Sequence, residues 1–436
     1  MKPKKEFNIG LIGLGTIGSG VWKVLTQNKR LLEERTGVVL KLRKVCDRDT
    51  TRMDKLKIPR ELFTPKFEEI LKDPEIDIVV ELIGGIEPAG TILMEAISRG
   101  KHVVTANKAL LAERGAVLFL AAKAKGVSIG FEAAVAGGIP ILKSIREGFI
   151  ANRILEIYGI INGTSNFILT EMSQRGGEFG QVLKQAQKEG YAEKDPSFDV
   201  KGIDASQKLA ILISLCYGVE PPKEGIYVEG IDRITPLDIE FAKKLGYVIK
   251  LLAISKDHAG AVEARVHPTM IPLHHPLADV HGVFNAVFLK GDAVGETMFM
   301  GRGAGMMPTA SAVVSDIAMI ASGHSPSLPV MRPATIQPME SLVTPYYLRF
   351  SVVDKPGVLA RIAKILGDLD ISISHVHQQE RAVGAKVPIV VMTHEAKEEN
   401  VQKAIAKIGS LETVLDKTML IRVERFIPPP TGGVRG

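Results

Sequence analysis

The chain predicts an α/β region followed by an α+β unit, and three observations carry that reading. Over the first ~130 residues short β-branched runs alternate with longer helical patterns, the sign of βαβ units and a parallel sheet. Near the end, about 75 residues read strand, helix, strand, strand, helix, strand. Between these regions Pro326, Pro329, Pro333, Pro338 and Pro345 cluster, as at a domain boundary.

The first region, 1–130, takes its strands from Phe7–Ile12, Val38–Cys46, Ile76–Leu82, His102–Thr105 and Val127–Phe131, with helical stretches such as Ala109–Lys125 between them. The middle, 131–304, mixes strands, glycine-rich turns and helices. Met306 to Ser322 reads as a helix of small and apolar residues, expected to return to the first domain and complete it over 305–340. The last unit, 346–425, begins with strand Leu348–Val353 and the turn Asp354-Lys355-Pro356-Gly357. A helix follows with Val358, Ile362, Ile365, Leu366 and Leu369 on one face, then strands Ile371–Gln378 and Val387–Thr393. A helix through Val401, Ala404, Ile405 and Ile408 leads to strand Met419–Val423, completing a ferredoxin-like βαββαβ order. Residues 426–436 have too few apolar groups to offset ordering entropy and are expected to be disordered.

Composition excludes several classes. Hydrophobic residues make up 45% of the 436 and charged ones 24%, ordinary globular usage. The longest apolar stretches, such as Leu209 to Val219, fall short of the ~20 residues a membrane helix needs. The basic start, Met1 to Lys5, lacks an apolar signal core, so no export is expected. A net charge of +6, with bases interleaved among acids, argues against nucleic-acid binding. Cys46 and Cys216 are the two cysteines and lie far apart, which suits a reducing cytoplasm and offers no thiolate cluster.

Strand Asn8 to Ile12 runs into Gly13-Leu14-Gly15-Thr16-Ile17-Gly18, and Val21, Val24 and Leu25 continue with helical spacing. Strand, glycine loop and helix together make the Rossmann dinucleotide fingerprint: a tight turn, a close backbone approach to pyrophosphate, and a helix N-terminus facing it. The acid expected at the end of the second strand is best matched by Asp47, with Arg48 directly after. A carboxylate suits a ribose hydroxyl and an arginine a 2′-phosphate, so NAD and NADP both stay open; the lean is to NADP, with Arg43 and Lys44 as alternative phosphate partners.

Asp204 and Lys208 stand four apart on a predicted helix whose continuation, Leu209 to Leu215, is almost wholly apolar. A buried lysine facing an acid is a candidate for charge recognition or proton transfer. Lys108 follows the strand ending in Thr105, on the side of a parallel sheet where ligands gather. Asn162-Gly163-Thr164-Ser165-Asn166 reads either as an N-cap turn or as a polar shelf for substrate. The histidine pairs His274-His275 and His375, His377 lack the accompanying acids of a catalytic metal site.

The motifs together resemble the long form of homoserine dehydrogenase over roughly residues 7 to 425. They are the glycine loop, Thr105-Ala106-Asn107-Lys108, Phe131 through Pro140, Gly159 through Asn166, Gly190-Tyr191-Ala192-Glu193 with Asp195-Pro196, Asp204 through Lys208, and Gly301-Arg302-Gly303-Ala304-Gly305 before Pro308-Thr309-Ala310. The final unit resembles an ACT domain, a module that binds small effectors. The resemblance implies reversible reduction of L-aspartate 4-semialdehyde to L-homoserine with NADPH or NADH, in a catalytic and dimerisation domain over 131–304. It implies Lys208 as proton donor with Lys108 as partner, Asp204 orienting lysine and substrate, and Glu193, Gly163, Thr164 and Asp199 holding substrate. The loop Gly13 to Gly18 would hold the cofactor with Arg48, Thr105, Lys108 and Gly303. A sodium ion is implied at Glu132, Val135, Gly137 and Ile139, three of them through backbone carbonyls. An amino-acid effector, threonine in the usual case, would bind at Asp354, Pro356, Gly357, Val358 and Leu359, and removing residues 346–436 would leave activity but abolish that response. A homodimer or homotetramer is expected. Met300, where the family commonly has an aromatic, is a small departure. Two other readings compete: a non-catalytic amino-acid sensor, and a different Rossmann oxidoreductase of amino-acid metabolism.

Overall fold

A computed structural model of the chain describes residues 5–324, 331–378 and 385–426. Strands β1 (Lys5–Ile12), β2 (Val38–Cys46), β3 (Phe63–Thr64), β4 (Ile78–Glu81), β5 (His102–Thr105) and β6 (Ile129–Gly130) form one sheet in the order β3-β2-β1-β4-β5-β6. Every pairing in it is parallel. Parallel strands need covering on both faces, and Ile9, Leu11, Ile78 and Val80 are accordingly fully buried.

The helix Met306–Ala321 packs back on this layer: a side chain at Gly20 would collide with Ala310 and the Met306 carbonyl. The return to the first domain stops there. Thr335 and Ile336 pair instead with Ala261 and Val262 of the second sheet. Pro326 and Pro329 lie outside the described residues.

The second sheet uses β7 (Ile154–Ile160), β8 (Tyr227–Val228), β9 (Tyr247–His258), β10 (Ala261–Pro272), β11 (Phe284–Gly291), β12 (Gly295–Arg302) and β13 (Thr335–Ile336). After β14 (Val343–Thr344) come β15 (Tyr346–Val353), β16 (Ile373–Gln378), β17 (Lys386–Thr393), β18 (Ala396–Lys397) and β19 (Met419–Val423). The last unit has the order β19-β15-β17-β16, and it does not stand alone. Thr269 and Met270 of β10 pair in parallel with Arg422 and Val423 of β19, so both sheets merge into one of eleven strands.

That junction holds a buried charge network. The Arg422 guanidinium donates to Glu398 at 2.6 and 2.9 Å and to Glu229 at 2.9 Å. Arg265 pairs with Glu263 at 2.8 Å and with Glu424. Phe426 stacks on His275 with ring centroids 3.6 Å apart, so the expected disorder of 426–436 fails at its first residue; an aromatic pocket holds it, and 427–436 lie outside the described residues.

Candidate active site

Gly13 turns at φ +98°, and an ideal Cβ there would lie 2.7 Å from the Leu82 carbonyl. One on Gly18 would lie 1.8 Å from the Gly13 carbonyl, so the helix Thr16–Gln27 starts pressed against the loop. No side chain caps that helix at Gly15, which leaves first-turn N–H groups suited to a phosphate. The Asp47 carboxylate at the tip of β2 accepts from the Leu14 N–H at 2.6 Å and the Asp49 N–H at 2.8 Å. Arg48 is exposed beside it. Arg43 and Lys44 are not spare phosphate partners: Arg43 pairs with Asp73 at 2.8 Å and Lys44 with Glu69 at 2.9 Å.

Thr105 is buried beneath the cleft, its hydroxyl donating to Glu81 at 2.7 Å. That hydroxyl is thus engaged inside the protein, at the end of the strand that leads to Lys108. Glu81 escaped the sequence reading: its other oxygen accepts from the Ile83 and Gly84 N–H groups and shapes the loop beyond β4. Asn107 caps the next helix by accepting from the Leu110 N–H at 3.1 Å, which sets Lys108 at the first position of Lys108–Lys125.

Across the cleft, Gly202 at φ +83° starts the helix Ile203–Tyr217, so Asp204 and Lys208 share its inward face. Lys208 Nζ donates to Asp204 Oδ2 and to the Ile161 carbonyl, both at 2.7 Å. Lys108 Nζ lies 3.2 Å from the other Asp204 oxygen. Asn162 joins them, its Nδ2 donating to Asp204 at 2.8 Å and Asp199 at 2.7 Å while its Oδ1 caps Gly163–Arg175. Burial works to raise the Asp204 carboxyl, but Lys208, Lys108 and the Asn162 amide outweigh it and hold the group at about 2.

These residues line one cleft of about 600 Å³ with Ile17, Gly137, Gly163, Thr164, Glu193 and Gly303. Thr164 donates its hydroxyl to the Tyr191 carbonyl at 2.8 Å, tying the Glu193 turn to the helix start. Asn285 and Arg302 also line it and were missed: Asn285 stands in no motif, and of the Gly301–Gly305 motif only Gly303 was given a role.

Both Glu132 oxygens accept helix-start amides, from Leu142 at 2.9 Å and Lys143 at 2.8 Å, which fixes the carboxylate beside the turn after β6. Burial and nearby Asp316 push that carboxyl up to about 7. Beyond it Ala136 and Gly137 turn at φ +54° and +47°, in the left-handed region. Asp354, Pro356, Gly357, Val358 and Leu359 line a separate hollow of about 260 Å³ in the last unit, with Gln378. Among the described residues no helix is long and apolar enough to cross a membrane.

Comparison with known proteins agrees with this geometry. A family model described as homoserine dehydrogenase matches residues 140–318, its NAD-binding domain matches 13–132, and an ACT domain matches 346–413. A homoserine dehydrogenase from Pseudomonas aeruginosa is 44% identical over 98% of this chain and 100% of its own length. One from Helicobacter pylori is 44% identical over 97% of this chain and 100% of its own. The crystal structure of a homoserine dehydrogenase from Thiobacillus denitrificans superposes with a TM-score of 0.92 at 46% identity, covering 98% of this chain and 100% of that one. A hyperthermophilic archaeal homoserine dehydrogenase in complex with NADPH matches 74% of this chain and 99% of its own at 29% identity, with a TM-score of 0.64. With the nucleotide loop, the lysine-carboxylate cleft and relatives covering nearly its whole length, the chain belongs to the homoserine dehydrogenase family.

Proposed function

We propose that Lys208 is the proton donor in the reduction of L-aspartate 4-semialdehyde to L-homoserine, with Lys108 as a second positive charge. One observation carries this: two ammonium groups meet a single buried carboxylate in the cleft whose lining Ile17 of the glycine loop joins. NADPH or NADH, when bound, supplies the hydride. An ammonium has three N–H donors, and Lys208 directs two of them to Asp204 and Ile161. The third is directed to the substrate oxygen, where it stabilises developing negative charge and delivers the proton; in oxidation the same nitrogen takes it back. Asp204 stays ionised near neutrality and takes no part in that exchange, its task being to hold both lysines. Asn162 and Asp199 position Asp204 from the other side. The Glu193 carboxylate receives the substrate ammonium, and the N–H groups of Gly163 and Thr164 at a helix start receive its carboxylate.

Exposed Arg48 beside Asp47 supports NADPH as the preferred cofactor. Glu132, Val135, Gly137 and Ile139, three of them through backbone carbonyls, would hold a sodium ion that fixes the turn against Gly303, whose carbonyl an ideal Cβ on Gly137 would approach to 2.5 Å. Threonine is the effector proposed for the hollow at Asp354 to Leu359. Exposed Met298 and Met300 on the edge strand β12 support a homo-oligomer, and two isolated cysteines fit a cytoplasmic enzyme. Following absorbance at the reduced-nicotinamide band with aspartate semialdehyde tests the reading: turnover is expected with both cofactors and faster with NADPH, and no turnover with either overturns it. Asp354→Ala is expected to abolish threonine inhibition with basal turnover unchanged, measured as residual rate against threonine concentration.

A further inference from the structure

Asn285 lies on β11, opposite Gly301 of β12, at the floor of the cleft and only 1% exposed. Its amide fills the space left by a missing side chain at Gly303, where an ideal Cβ would fall 1.9 Å from Nδ2 and 2.6 Å from Oδ1. At Gly163 an ideal Cβ would fall 3.6 Å from the same Oδ1. That oxygen is buried without a hydrogen-bond partner among the described residues. A buried carbonyl without a donor is costly, and Asn285 is one of the residues lining the cleft, where a ligand can bring that donor.

Each polar group of the substrate already has a better match. Its ammonium has the Glu193 carboxylate, its aldehyde oxygen the two lysines, and its carboxylate needs donors only. The carboxamide of a nicotinamide ring carries an N–H donor and an acceptor, the complement of an asparagine side chain. The cleft wall leads there from the glycine loop, through Ile17 and Gly137 to Gly303. We propose that Asn285 recognises the nicotinamide carboxamide, its Oδ1 accepting from the carboxamide N–H, and so selects which face of the ring meets the lysines. This rests on the dinucleotide lying across the cleft as proposed above.

The test is calorimetric binding without substrate, comparing NADP⁺ with its 3-acetylpyridine analogue, in which a methyl ketone replaces the carboxamide and lacks the N–H. The unchanged protein is expected to bind the carboxamide about five- to tenfold more tightly. Asn285→Leu, close in size but without polar atoms, is expected to bring that ratio near one, and Asn285→Asp, which keeps an acceptor, to retain it. Asn285→Ala carries the same comparison if leucine disturbs folding, judged by thermal unfolding. An unaltered ratio in a folded leucine or alanine variant overturns the proposal. Failure of the unchanged protein to bind either dinucleotide overturns the underlying cofactor placement and this proposal with it.

Discussion

Two of the clusters of buried charge in this molecule do opposite things with their valences. At the sheet junction, Arg422 directs its Nε and both terminal nitrogens to Glu398, Glu229 and the Tyr227 hydroxyl, and its ring neighbour Tyr227 sits 4.8 Å below the guanidinium. Burial opposes that charge, and Glu398 and its companions outweigh it, raising the Arg422 pKa further. In the cleft, Lys208 and Lys108 share one carboxylate and line the open space beside it. Buried charge marks chemistry when it is held in place but not fully satisfied; when every valence is closed inside the protein it marks architecture.

Replacing one member of each cluster separates the two kinds. Lys208→Met is expected to lower kcat by about 10²- to 10⁴-fold, the size of a lost general acid, while thermal unfolding barely moves because Lys108 and Asn162 still hold Asp204. Arg422→Met is expected to do the reverse. It leaves Glu398 and Glu229 without their cation at a cost of about 3–5 kcal/mol in denaturant unfolding, with kcat of the folded enzyme unchanged. Equal effects on rate and stability in either variant would erase the distinction.

The smallest expected effect concerns acid. Asp204 is depressed to about 2 against an ordinary 3.8, so the stability it contributes is present above the ordinary value and fades as pH falls through about 2. The gap in melting temperature between the unchanged protein and Asp204→Asn is therefore expected to narrow from about pH 4 downward. A gap constant over that window would mean the carboxylate is not held as described.

Much of this was legible in the chain and some was not. The glycine loop, the strand and helix around it, and the i,i+4 spacing of Asp204 and Lys208 are local signals, and local signals carry through to the fold. The apolar run after Lys208 marks a buried helix, and the lysine side chain is indeed only 12% exposed. Asn162 showed only a choice between cap and shelf, because one residue serving both is a matter of three-dimensional placement. The union of the two sheets was hidden for a similar reason. Nothing in Met419–Val423 says whether its outer edge meets water or another strand, since alternation along a strand reports its faces and not its edges. Arg43 misled because a basic residue near the second strand's end looks alike whether it waits for phosphate or already holds Asp73.

The shared sheet changes what cutting the chain would accomplish. Removing residues 346–436, expected from sequence to spare activity, takes Glu424 from buried Arg265 and Lys256 and strips β10 of its neighbour, so the shortened enzyme starts from a weakened core. A protease that nicks the connector between the helix Met306–Ala321 and β15 has a milder consequence. The severed pieces are expected to stay paired along β10 and β19 and to travel together through a sizing column, an ACT unit that can be cut from the rest of the chain without being released.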